Sequence, residues 1–279
     1  MTVSLIPRTD MAPVPRVEIV VEPDDLPSGT DRVTLWRVGA GVERKVRGGV
    51  DRSMGSALSL IDYEPGRGMQ SSYEAECWDG AVSLGRVALG SADVPWVGDA
   101  RTVTVQQPLD PNLSLEVYSM GGAWPSLTQV APGELVTAEG AGLPTFVGGG
   151  PISGMKEVVL DFGVPSREAA QRLRATLGTP EARQLPVWLV RGGNDFLPRV
   201  FFCRVQTLVE VDVNNRAGLG WSRFVATVDE VAPPAPGLVV ASLSYDDLDA
   251  AFESYDDRDA AYPSYDAMDR DYSLAGLSG

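Results

Sequence analysis

Asp51-Arg-Ser53-Met-Gly55 is the nearest approach to a nucleophile motif in this 279-residue chain, half-matching the elbow that presents a catalytic serine. It lacks the leading glycine. The chain also contains no histidine, which removes the commonest general base, the Ser/His and Cys/His pairs and most zinc sites together. Acid–base chemistry would then fall to carboxylates, Lys or Tyr. Asp93, Asp99, Asp110, Glu134, Glu139 and Asp161 could supply a glycosidase pair, but among 38 acidic residues nothing in their spacing selects two. Asp212, Asn214 and Gly218 hint at a calcium loop, yet Arg216 and Arg223 stand where further carboxylates are needed. A hairpin tip is the simpler reading. The glycines of Gly148 to Gly154 fail the phosphate-loop and dinucleotide spacings. The chain therefore reads as a non-enzyme, with no metal and no cofactor expected.

Binding is better represented. Trp96 and Trp124, flanked by Pro95 and Pro125, fall in loops and are candidate surface contacts, able to stack on sugar. Trp188 and Trp221 lie in strand patterns and read as core. The strongest signal is a ten-residue unit repeated three times in register from Ser244, Ser254 and Ser264, each keeping Ser, Tyr, Asp, a second Asp and an aromatic at fixed offsets. Such a unit presents one surface three times, as a docking element does. Asp247 and Asp257 follow their serines at capping-box spacing, and acids in the first turn suit the helix dipole. That use of the Asp residues requires no metal.

Ten residues at about 100° each turn an ideal helix by roughly 80° per unit, so short separate helical turns, broken near Pro263, are expected rather than one helix. The expected partner contacts are Tyr245, Leu248, Phe252, Tyr255, Arg258, Tyr262, Tyr265, Met268 and Tyr272. A polar acidic tail of this kind can also stay disordered in isolation.

The elements that would carry these residues are mostly strands. Residues 1–15, with Pro7, Pro13 and Pro15, read as an extended arm. Period-two alternation over 16–103 suggests an immunoglobulin-like sandwich, with Trp36 and Tyr73 in its core. Residues 104–231 alternate strands with one helix, capped by Ser166 and stopped by Gly178, and suggest a small β-barrel. A Pro-rich linker (232–243) leads to the acidic repeats (244–279). The fold class is thus mainly β: sandwich, barrel with one short helix, then helical repeats.

Net charge is −15, and residues 244–279 supply nine Asp and one Glu against two Arg. No basic face is evident, which argues against nucleic acid and anionic membranes as partners. Cys77 and Cys203 read as small buried hydrophobes. With no signal peptide and no long apolar run, synthesis in the cytoplasm as a soluble chain is expected.

Residues 16–92, with Trp36 in an early strand and Tyr73-Glu-Ala-Glu-Cys77 in a late one, resemble fibronectin type III domains. From about residue 150 the order is a strand, a Ser-Arg-Glu-Ala-Ala helix, Leu185-Pro-Val-Trp-Leu-Val190, Arg199-Val-Phe-Phe-Cys-Arg-Val205 and Trp221 to Val231. A Pro-rich linker and Tyr/Asp-rich repeats then follow. This order resembles the minor tail proteins of long-tailed phages infecting actinobacteria. The resemblance implies a virion tail-tip protein, made in the host cytoplasm, that forms a ring with copies of itself and docks other tail-tip proteins. The alternative expectation is a module that binds host cell-wall glycan.

Overall fold

The computed structural model describes residues 3–11, 13–97, 99, 101–121, 126–139, 142–150, 152–178, 184–192, 198–212, 221–238, 245–252, 254–262, 264 and 268. It is mainly β, as the alternation implies. The N-terminal part contains β1 (Ser4–Arg8), β2 (Arg16–Val21), β3 (Arg32–Gly39), β4 (Val42–Lys45), β5 (Arg52–Ser53), β6 (Leu58–Asp62), β7 (Gln70–Asp79) and β8 (Val82–Asp93). One sheet runs β1-β2-β6; the other runs β4-β3-β7-β8, with β5 pairing β3.

Between the sheets, Val17, Ile19 and Val21, Val33 and Leu35, and Tyr73, Ala75 and Cys77 are buried at every second position. Alternate side chains point to opposite faces of a strand, so one register places all of them inside. Each fully buried side chain of Val or Ile size contributes about 1.5–3 kcal/mol. Residues 4–8, expected as an arm, instead pair residue for residue with β2, from Ser4↔Val20 to Arg8↔Arg16. Pro7 is accommodated there because β1 is an edge strand. Trp36 also departs from expectation. It occupies the outer face of β3, its ring between Lys45 at 5.1 Å and Arg86 at 4.2 Å, with Nε1 donating to Glu76.

The second part contains β9 (Thr102–Gln107), β10 (Asp110–Ser119), β11 (Glu134–Val136), β12 (Thr145–Val147), β13 (Val158–Val164), α1 (Arg167–Ala175), β14 (Val187–Gly192), β15 (Phe201–Asp212) and β16 (Ser222–Glu230). Six of these strands pair in a ring, β10-β13-β16-β15-β14-β9, and β9 returns to β10. The ring is weakest between β10 and β13, where only Tyr118↔Gly163 and Ser119↔Phe162 pair. Helix α1 packs on those two strands at the seam. Ala170 and Leu173 enter the core, Ser166 Oγ accepts from Ala169 N–H, and Gly178 ends the segment at φ +90°. Trp188, Phe162, Phe201 and Phe224 fill the interior. Trp221, read as core, stands outside it against Tyr118.

Helices α2 (Tyr245–Ala251) and α3 (Tyr255–Ala261) follow. They are separate and short, as ten-residue spacing requires.

Candidate docking surfaces

Three features have the chemistry to hold partners or parts: the repeats, a buried charged junction, and the exposed aromatics.

In α3 Ser254 Oγ accepts from Asp257 N–H at 3.2 Å, the cap implied by their spacing. The backbone turns extended at Tyr262, so the next unit begins afresh and the unit's fifth residue returns to the same side. Leu248, Arg258 and Met268 hold that position and are only 2, 5 and 2 % exposed. The ninth-position rings of Phe252 and Tyr262 meet edge-on, 5.8 Å apart, an arrangement aromatic quadrupoles favour.

The described members of the nine expected contacts are thus of two kinds. Leu248, Phe252, Arg258, Tyr262 and Met268 hold the stack together. Tyr255 is 69 % exposed and is free to meet a partner, with the Arg258 guanidinium 4.2 Å from its ring. Arg258 also lies 3.7 Å from Asp249 of the preceding unit. Tyr265, Tyr272 and the Tyr245 side chain lie outside the described residues. Treating every aromatic of the repeat alike missed this division, although its signal was present: position five is apolar in two units of three.

The junction lies between the sandwich and the ring of strands, and sequence reading missed it entirely. Arg37 Nη1 donates to both Asp62 oxygens at 2.6 Å, while the Tyr73 hydroxyl donates to the same carboxylate at 3.0 Å. Burial works against the Arg37 charge, but Asp62 and Glu64 outweigh it and leave its pKa above the ordinary value. Burial pushes the Tyr73 phenol up, and the Asp62 charge adds to that. Across the junction, Arg67 donates to Thr104 and Glu116 at 2.5 and 2.7 Å. Arg191 reaches back from β14 to the carbonyls of Pro15 and Pro65 and to Gln106. Its pKa is pulled down to about 9, first by burial and then by Arg67.

Arg47 completes the assembly. Its Nε donates to Glu64 at 2.7 Å, and its two terminal nitrogens donate to the carbonyls of Pro234, Ala235 and Leu238. The Pro-rich segment is thereby clasped to the sandwich as far as Leu238. Arg47→Met is expected to remove about 1.5–3 kcal/mol, the range for hydrogen bonds to charged groups. It should also raise backbone hydrogen exchange at Gly237 and Leu238, which wild type would not show.

The expected surface aromatics do not form a platform. Trp96 is half-buried, with Arg67 4.2 Å over its ring and its Nε1 donating to Asp99 O. Trp124 lies outside the described residues. Nor do the candidate carboxylates converge into chemistry. Asp161 is buried under Arg223, bound bidentately at 2.8 and 2.6 Å. Asp99 is held by Arg101, which keeps its pKa below the usual range. Asp110 caps a turn through Asn112 N–H, and burial raises its pKa. Asp93, Glu134 and Glu139 are exposed.

The Asp51 carboxylate is paired with Arg32 at 2.6 Å. Asp51 and Arg32 border an open cleft of about 340 Å³ with Trp78, Lys45 and Glu76. Among the described residues no group of three or more His, Cys, Asp or Glu side chains could hold a metal ion, and no helix is long and apolar enough to cross a membrane. Asn214 to Gly218 lie outside the described residues. Cys77 and Cys203 are buried and free, and burial raises both thiol pKa values. No family model matches the chain, and no curated protein sequence matches it.

Proposed function

We propose that this protein is a structural subunit of a phage tail tip, acting by docking neighbouring proteins rather than by catalysis. The carrying observation is the repeat: Leu248, Arg258 and Met268, at one position of each unit, are all buried, while the described acids Asp249, Asp256, Asp257 and Asp259 are exposed. Weak contacts repeated on one tether gain avidity through effective concentration. A partner groove bearing Arg or Lys fits that surface.

The finer assignments rest on resemblance. Two antiparallel sheets, of three and five strands, around one core support a fibronectin type III-like sandwich, although the Tyr73 hydroxyl bonds the Asp62 side chain instead of upstream backbone. The paired ring over 102–230, with its helix at the seam, agrees with a barrel-like tail-assembly domain. On this reading the ring domain surrounds the tail axis with copies of itself, and the repeats engage other tail-tip proteins in the virion. The alternative, recognition of host-wall glycan, would use the Trp78 cleft, since Trp96 is taken up by Arg67.

Native mass and composition of the assembly, with and without residues 238–279, test the proposal. Release of a neighbour, or of the chain itself, on truncation is the expected result. If both forms are monomers that bind wall glycan equally, the docking reading is wrong.

A further inference from the structure

Between β10 and β13 the chain leaves the ring of strands and makes an arm. Its base is fastened by Lys156 N–H to Thr128 O, by Ser153 N–H to Val130 O, and by Val130 N–H to Ser153 Oγ. Above that, β11 and β12 pair in the register Glu134↔Val147, Leu135↔Phe146 and Val136↔Thr145. The Phe146 ring lies over Gly133, where a Cβ would come within 2.2 Å of it, and Gly148 meets the Gly133 backbone. Both glycines have positive φ, so the ribbon is a built object that a side chain at either position would open.

Its surface is apolar on both sides. Leu135 is 69 % and Leu143 80 % exposed, and Val130, Phe146 and Ile152 are exposed with them. An isolated two-stranded ribbon is marginally stable in water, and an apolar patch of this kind marks a protein contact.

A second apolar surface lies on the ring itself. One outer wall, at β9 and β14, is occupied by the junction through Thr104, Gln106 and Arg191. On the far wall, Val209 and Val211 of β15 are exposed beside Val225, since Val209↔Val225 and Val211↔Arg223 pair directly. Trp221 and Tyr118, 5.5 Å apart, continue the surface. Gly163 makes room for them: a Cβ there would stand 2.9 Å from Met120 Sδ and 3.2 Å from the Trp221 ring. The Arg223 charge on this wall is neutralised by Asp161.

We propose that the arm of one copy docks on this wall of a second copy of the same chain. Charge selects the occupant. Copies carrying −15 each repel unless they meet through uncharged surface, and residues 126–152 carry only Glu134 and Glu139 where the whole chain is 22 % charged. A basic partner would be drawn to the acidic surface instead. An arm-to-wall contact is heterologous, each copy giving one surface and receiving the other, so it propagates into a closed ring or a filament. The inference deepens the tail-ring reading and rests on it for the presence of several copies.

Full-length Leu135→Cys and Val209→Cys chains, mixed and oxidised, test the contact; both native cysteines are buried, which keeps the background low. A disulfide-linked pair of one arm variant with one wall variant is expected, and Leu135→Glu should weaken self-association by about tenfold or more. Val82→Cys, exposed on β8, replaces the wall variant as control. Cross-linking no greater than this control, or arm-to-arm disulfides alone, overturns the contact. Native mass separates the two levels: an oligomer without arm-to-wall cross-links removes this contact and leaves the ring reading, whereas a monomer under all conditions removes both.

Discussion

Asp62→Ala is expected to lower the stability of the folded chain by about 3–5 kcal/mol, because it leaves a buried guanidinium without its counter-charge. Asp62 receives Arg37 on both oxygens, the Tyr73 hydroxyl and the Glu64 backbone N–H, and both members of the ion pair are almost wholly buried. The nearest remaining anion for Arg37 is Glu64 at 3.9 Å, which already serves Arg47 at 2.7 Å. Neither can shift without loosening the Pro234–Leu238 clasp. Chemical denaturation of the full chain measures the effect as a fall in midpoint at unchanged slope. A loss under 1 kcal/mol would mean that water reaches the junction and the burial argument is wrong. Asp62→Asn keeps the shape but not the charge and should fall between wild type and alanine.

Trp188→Ala is expected to cost a comparable 3–5 kcal/mol through a different mechanism, the cavity left by a fully buried aromatic. Trp188 is inaccessible to solvent, lies 6.3 Å from Phe162 and donates from Nε1 to Thr176 Oγ1 at 2.7 Å. That bond ties β14 to the end of α1, next to the seam where β10 and β13 share only two residue pairs. The substitution should therefore loosen α1 first. Hydrogen exchange over 167–178 should rise more than over β15 and β16, whose long pairing is independent of the seam. Equal rises in both would show that the ring opens as one unit. Trp188→Phe retains most of the volume and should recover much of the stability.

Much of this could be read before any coordinates. The strands with apolar residues at every second position, such as β2, β3 and β7, announced themselves because one face of each is buried and the other is not. Helix α1 was legible from Ser166, its apolar spacing and Gly178, all of which act within a few residues. The repeats implied short helices for the same local reason, since the Ser254 cap and its target Asp257 are three residues apart. β10 escaped notice because Pro111 and Asn112 resemble a turn, and only Leu115 and Val117 of its length face the core. β11 and β12 escaped because a glycine-rich, exposed ribbon has no buried face to impose alternation.

What the chain alone determined, then, is what local interactions determine: a mainly β protein, one capped helix, a tandem acidic repeat, and the loss of histidine chemistry. The tertiary structure decided the rest, because those properties depend on residues far apart in the chain. Arg37 and Asp62 are 25 residues apart, Arg67 and Glu116 are 49, and Arg47 and Pro234 are 187. No spacing rule predicts which arginine finds which carboxylate, since long-range pairing is chosen by the packing of whole sheets. The same packing set Trp36 and Trp221 outside and Trp188 inside. Burial is a property of a residue's surroundings, and those exist only once the chain has folded.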